Sequence, residues 1–300
     1  MLLRRMCLLL VMASLGLGQE QAPSSQPVAR AEDTVMIAAV SRDVSILSGG
    51  IGPGKWSGKG TVWVEPIARL TSTGEWSAIP CSVSSNDSLQ GQRGCRKFAR
   101  EYLSKPHQYT VVSADGSGAS VRSAPVTLSE CSVYTSEGTY SGVPISRSAV
   151  AATAGEAFAD APGLRLLTKE ERAEVRKALA PFIGEKLDSA EHLRIFALAW
   201  EGKGLLVIQR AFADWASEKY RTFRPVFVVG TLEQDGFHVL HSKQPDRTDE
   251  EERIVGAIRL KSGREFLITS VSDPEGQWFR VYGINDRKLV LVYKGGGSSC

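Results

Sequence analysis

Long apolar runs are missing from this chain once its first 18 residues are set aside. A membrane-spanning helix needs about 20 predominantly apolar residues, so the mature chain is expected to carry no transmembrane segment. Charge of one sign is missing too. The formal net charge is +3 over 300 residues, which gives no basic field to hold nucleic acid, whatever the sequence pI of 8.6 suggests. Histidine is scarce: the four are His107, His192, His238 and His241. No His-Glu-x-x-His pair occurs. His238 and His241 stand three apart in a strand pattern, which sets them on opposite faces and argues against a shared metal. No Gly-x-Ser-x-Gly elbow marks a serine hydrolase, and no Cys-x-x-Cys marks a zinc or dithiol site. Gly49, Gly54 and Lys55 have the spacing of a phosphate loop, but Trp56 stands where a hydroxyl should take magnesium and a strand pattern follows. No cofactor, no metal and no catalytic residue can therefore be assigned from motifs.

What is present begins with the leader. Met1 to Arg5 is basic, Met6 to Leu17 is apolar, and Gly16-Leu-Gly18 offers small residues for cleavage. That is the layout of a secretory signal peptide over residues 1–18, so the protein is expected to be exported, periplasmic or extracellular. Removing Arg4 and Arg5 from the 36 basic residues leaves 34 against 33 acidic. Of the five cysteines, Cys7 goes with the leader; Cys81, Cys95, Cys131 and Cys300 remain. An even number in an exported chain predicts two disulfides, with three connectivities open. Cys81–Cys95 is favoured because a short polar loop joins the two, leaving Cys131–Cys300.

Residues 19–33 are polar with two prolines and read as a disordered lead-in. Residues 34–147 read as a β domain with strands near 34–40, 43–47, 61–65, 108–113 and 120–128. Thr61-Val-Trp-Val-Glu65 alternates, with Trp63 on one face and Val62 and Val64 on the other. One helix is expected over Cys95 to Leu103, with Phe98 and Tyr102 on one side. The alanine-rich stretch 148–163 reads as a connection. Residues 164–300 read as a second β-rich domain with one helix near 169–182, introduced by the capping box Thr168-x-x-Glu171. Strands follow near 193–199, 204–209, 225–229 and 237–241. Four more, near 252–260, 265–269, 277–282 and 288–293, are separated by Lys261-Ser-Gly263, Asp273-Pro-Glu-Gly276 and Asn285-Asp286 and predict an antiparallel meander. The fold class expected is mainly β, α+β overall: two antiparallel domains with a few short helices.

Gly263-Arg-Glu-Phe-Leu267, the aromatic strand Trp278-Phe-Arg-Val-Tyr282 and a last strand entering Gly295-Gly-Gly-Ser-Ser-Cys300 resemble a degenerate FG-GAP/VCBS-type β module of exported bacterial proteins of unknown role. That family's calcium loop is carboxylate-rich. Here Ile258-Arg-Leu-Lys-Ser-Gly263 has none of those carboxylates, and a hard cation needs oxygen ligands, so the resemblance implies no calcium. Six tryptophans suffice for a stacking surface; Trp56 and Trp76, in Gly-, Ser- and Thr-rich turns, are the candidate binding residues. The function expected is a non-enzymatic binding or envelope-associated module, taking a sugar, peptide or envelope ligand. The alternative is a glycosidase-like hydrolase using a carboxylate pair on the β scaffold.

Overall fold

The computed structural model describes residues 34–42, 58–81, 89–112, 118–125, 127–128, 134–145, 148–155, 157–159, 164–167, 169, 173, 175–177, 193–200, 203–210, 226–233, 235–243, 250–273, 276–285 and 288–299. Strands dominate, and every pairing among the described residues is antiparallel.

The first unit is a six-stranded barrel. Its strands are β1 (Thr34–Ser41), β2 (Lys59–Thr71), β4 (Gln108–Val111), β5 (Ser120–Ser123), β7 (Tyr134–Ser141) and β8 (Ser148–Ala152), with short β3 (Trp76–Ser77) and β6 (Thr127–Leu128) at the ends of the sheet. The order β2-β1-β8-β4-β5-β7 closes because the first half of β2 also pairs with β7, Trp63 opposite Glu137 and Val64 opposite Ser136. A barrel this narrow is filled by its own side chains. Val62, Val64, Tyr109, Val121, Tyr140 and Ala149 all point inward. At Gly138 on β7 a Cβ would come within 2.7 Å of Val121 Cγ1 and 3.0 Å of Val64 Cγ2, so the interior leaves room for glycine only.

Helix α1 (Leu89–Phe98) runs into a π-helical turn, Ala99–Leu103, and closes over this core. Phe98 stacks on Tyr102 with ring centroids 5.1 Å apart, and both pack on the barrel interior. The Tyr102 and Tyr109 hydroxyls lie 3.2 Å apart. Burial pushes the Tyr109 phenol up to about 12. The Cys81–Cys95 disulfide fastens the helix to the segment after β3. The helix starts at Leu89, six residues before the expected start at Cys95. Leu89 to Arg93 bury nothing, and only Phe98 and Tyr102 carry an inward-facing signal.

Two further sheets follow. Strands β9 (Phe158–Ala159), β15 (Glu251–Leu260), β16 (Glu265–Asp273), β17 (Gly276–Asn285) and β18 (Lys288–Ser299) form one, in the order β18-β17-β16-β15-β9. The meander predicted from the turn residues is present. Strands β10 (Leu164–Leu166), β11 (Leu193–Trp200), β12 (Lys203–Arg210), β13 (Val226–Glu233) and β14 (Gly236–Lys243) form the other, in chain order. The meander lies between the barrel and the β10–β14 sheet and is buried on both faces. Val255, Ile258, Phe266, Ile268, Phe279 and Val281 face Val35, Ile37, Leu70 and Val150 on the outside of the barrel. Ile254, Ala257, Leu267 and Tyr282 face Leu205, Val207, Phe227 and Val229.

The alanine-rich stretch read as a connection is, over Ser148–Ala152, a barrel strand between β1 and β4. Ala149 and Ala151 face the barrel interior while Val150 and Ala152 face the meander. A strand buried on both sides shows no polar alternation, and small side chains fit where the sheets approach. Phe158–Ala159 then pairs with β15. Of the capped helix, Lys169, Ala173 and Val175–Lys177 are helical and Val175 is buried; Thr168 and Glu171 lie outside the described residues, as do the strand expected near 43–47 and the leader.

Candidate functional site

Three places on this scaffold gather groups with chemistry to offer, and they differ in how open they are to solvent. The first is the outer edge of the meander. Strand β18 pairs with β17 on one side and ends the sheet on the other. Val290, Leu291 and Val292 are 42, 48 and 41% exposed, and of the five exposed large apolar side chains among the described residues these three are consecutive. A register shift opposite Val281/Tyr282 falls between Leu291 and Tyr293. A β-bulge there turns a neighbouring side chain out of the sheet. Lys288 and Lys294, both exposed, bracket the run.

The second is a buried polar cluster where the meander meets the β10–β14 sheet. Glu252 Oε1 accepts from Tyr282 (2.8 Å) and from Thr269 Oγ1 (2.7 Å), and Oε2 accepts from Arg280 (2.8 Å). Arg280 also donates to Glu250 at 3.0 Å and lies over the Trp278 ring, which Lys294 Nζ approaches to 4.7 Å. Burial first, and the Glu252 carboxylate second, hold the Tyr282 phenol well above its usual range. Register explains the convergence: Ile254, Thr269 and Arg280 form one row across β15, β16 and β17, two residues from Glu252. Three donors from two neighbouring strands hold the Glu252 carboxylate, so the cluster locks β15, β16 and β17 together.

The third is the outer wall of the barrel on β2 and β7. Val62 and Val64 point inward, so Trp63 and Glu65 point outward, and Glu137 lies directly across from Trp63. Exposure rises along this wall. Glu65 is 9% exposed, Trp63 half-buried, Glu137 exposed. Opposite Glu65 on β1 is Ala39, and beyond it Val150 on β8. Among the described residues Glu65 makes no hydrogen bond or ion pair. Burial alone raises its carboxyl to about 8, so it is protonated at neutral pH.

The residues singled out from sequence fall elsewhere. Trp76 is half-buried against the meander, edge-on to Phe266 at 5.4 Å and stacked with Tyr293 at 6.0 Å. Trp56 lies outside the described residues, as do Cys131, Cys300 and His192. Cys81 and Cys95 are bridged, as favoured. His107 stacks on Tyr102. His238 and His241, expected on opposite faces, share one. A bulge at Leu240 sets His238 opposite Thr231 and His241 opposite Val229, which face the same way. Their ring neighbours differ, for His241 packs beside Tyr282 and Phe227 while His238 is exposed and 2.7 Å from Asp235. Glu233, Asp235 and His238 bring donor atoms within 4.8 Å of one another on this exposed hairpin. The Asp235 carboxyl is held below its usual range, first by its hydrogen bond with His238. Sequence reading missed that trio because a hairpin turn, not a helical or strand spacing, gathers it.

No described helix is long and apolar enough to cross a membrane. Comparison with protein-family models, with curated proteins and with solved structures gave no match.

Proposed function

We propose that this is an exported binding module that takes an extended peptide at the edge of β18 that no described strand pairs with. The observation that carries the reading is the run Val290-Leu291-Val292, three consecutive exposed aliphatic residues on an edge strand twelve residues long. Edge strands offer unpaired N–H and C=O groups to any extended chain, and soluble proteins usually guard them with short length, charge or proline. Among the described residues the charged guards of this run are Lys288 and Lys294. Strand addition uses backbone hydrogen bonds for affinity and alternate side chains for selection. The lysines favour a partner with acidic residues on either side of an aliphatic centre. Export is read from the leader, and the Glu252 cluster ties β17, the neighbour of β18, to β15, which lowers the entropic cost of docking at that edge.

The test is fluorescence anisotropy with a labelled eight-residue peptide of alternating Val and Thr, flanked by Glu. Micromolar binding is expected to the wild-type protein, and at least tenfold weaker binding to V290E/V292E. Equal binding by both proteins, or self-association of wild type through β18 in place of peptide binding, would sink the reading.

A further inference from the structure

We propose that helix α1 and the π-helical turn after it form a docking face for a bilayer surface rich in anionic lipid headgroups. This goes beyond peptide binding at β18, which uses other residues on another sheet.

The face is set by helical spacing. From Leu89 to Lys105 the chain carries five cations, Arg93, Arg96, Lys97, Arg100 and Lys105, against one carboxylate, Glu101. Arg93, Arg96 and Lys97 lie four, seven and eight residues after Leu89, the recurrence of a single helix face. Arg100 follows in the π-helical turn. All four cations are exposed, and Leu89, at 76%, is the most exposed large apolar side chain among the described residues. Cys95, Phe98 and Tyr102 lie on the other side and hold the helix down, Cys95 through its disulfide to Cys81 and the two rings by packing on the barrel interior. No residue of α1 is buried, so the basic stripe runs along solvent for about 16 Å at roughly 1.5 Å per residue. Among the described residues Arg93, Arg96, Lys97 and Arg100 form no ion pair. Arg93 with Lys97, and Arg96 with Arg100, are like charges four apart, which weaken a helix. An anionic partner removes that repulsion.

Charge complementarity selects a bilayer over a nucleic acid or a small anion. The 36 basic and 33 acidic residues of the whole chain nearly balance, so attraction is confined to this face and fades beyond a Debye length of about 8 Å at physiological salt. A surface that the stripe touches along its whole length makes use of such a field. The cations are strung out along an axis and do not converge on one point, as a phosphate pocket requires. The stripe also carries no aromatic side chain on which bases could stack. Leu89 at its start is placed to enter the headgroup region beside the cations. A chain with a leader of the kind read over residues 1–18 meets such surfaces.

The experiment uses the full mature chain and vesicles of phosphatidylcholine, alone or mixed with an equal part of phosphatidylglycerol, read by co-sedimentation. Wild type is expected to bind the mixed vesicles, to leave the neutral ones, and to come off as salt rises from about 0.05 M to about 0.5 M. Each cation at an anionic surface tightens binding by about fivefold. Glutamine at 93, 96, 97 and 100 together should therefore weaken binding by at least about 10²-fold. Lys59→Gln, Lys169→Gln, Arg176→Gln and Lys261→Gln together, all exposed and away from the helix, change the net charge equally and should weaken it less than about threefold. The charge-preserving variant Arg93→Lys/Arg96→Lys/Arg100→Lys should bind as wild type does. Equal binding to neutral and mixed vesicles, equal loss in the two glutamine variants, or loss in the lysine variant overturns the proposal. Displacement from the vesicles by soluble glycerol phosphate, or tighter binding to a short DNA duplex than to the mixed vesicles, overturns it as well. Peptide binding at β18 is measured separately, so failure of one reading is distinct from failure of the other.

Discussion

Glu65 carries an energetic cost that a glutamine would not. In the unfolded chain its carboxyl ionises near 4.5, in the fold at about 8. Below pH 4.5 it is protonated in both states and costs nothing. Between 4.5 and 8 the unfolded state loses its proton and the folded state does not, so stability falls as pH rises, and above 8 the penalty is constant. Glu65→Gln should therefore unfold at the same urea concentration as wild type at pH 4. At pH 8 it should be more stable, by an amount on the order of 2–4 kcal/mol. A variant less stable than wild type at pH 8 would mean that the carboxyl has a partner after all. Arg280 has the opposite character. Its removal leaves Glu252 buried with two neutral donors, and breaking a buried ion pair from one side costs about 3–5 kcal/mol. Arg280→Ala should lower the urea midpoint accordingly. A loss under about 0.5 kcal/mol would place the pair among solvent-screened ones.

At the scale of elements, the disulfide and the helix it holds are the joint most open to test. Cys81 and Cys95 are 14 apart in sequence. A closed loop of that size stabilises by about 3 kcal/mol in the chain-entropy account. The double variant Cys81→Ser/Cys95→Ser should lose roughly that much, and hydrogen exchange should rise first in α1 and its π-helical turn, before the barrel strands. Uniform acceleration across the barrel would show that the helix is not a separately anchored lid. Strand β7 belongs to this scale as well. Its alternation is perfect in burial, with Ser136, Gly138 and Tyr140 inward, yet two of those three are not apolar. Hydrophobic periodicity could not reveal it, because the barrel interior has space for a hydroxymethyl and a hydrogen where most sheets hold a branched side chain.

At the scale of the molecule, the barrel and the meander share one apolar core, in which Ile37 and Val150 of the barrel pack with Phe266 and Ile268. Phe266 is fully buried there. Phe266→Ala should cost about 3–5 kcal/mol and should lower amide protection in β1, on the far side of the interface, along with that in β16. Protection lost in β16 alone would identify two independently stable units. The β18 edge is a property of this scale too. Val290 to Val292 are exposed because nothing described follows β18 in the sheet.

The strands of the meander, their turns and the pairing of Cys81 with Cys95 were all legible in the order of residues. Local chemistry sets each of them: glycine, proline and asparagine at turns, β-branched and aromatic residues between, two thiols a short polar loop apart. Closure of the barrel, the strand at Ser148–Ala152, the common face of His238 and His241, and the pairing of Trp63 with Glu137 were not. Each depends on which strand lies beside which and in what register, and long-range pairing leaves no trace in local periodicity when the side chains that face each other are small, polar or shifted by a bulge.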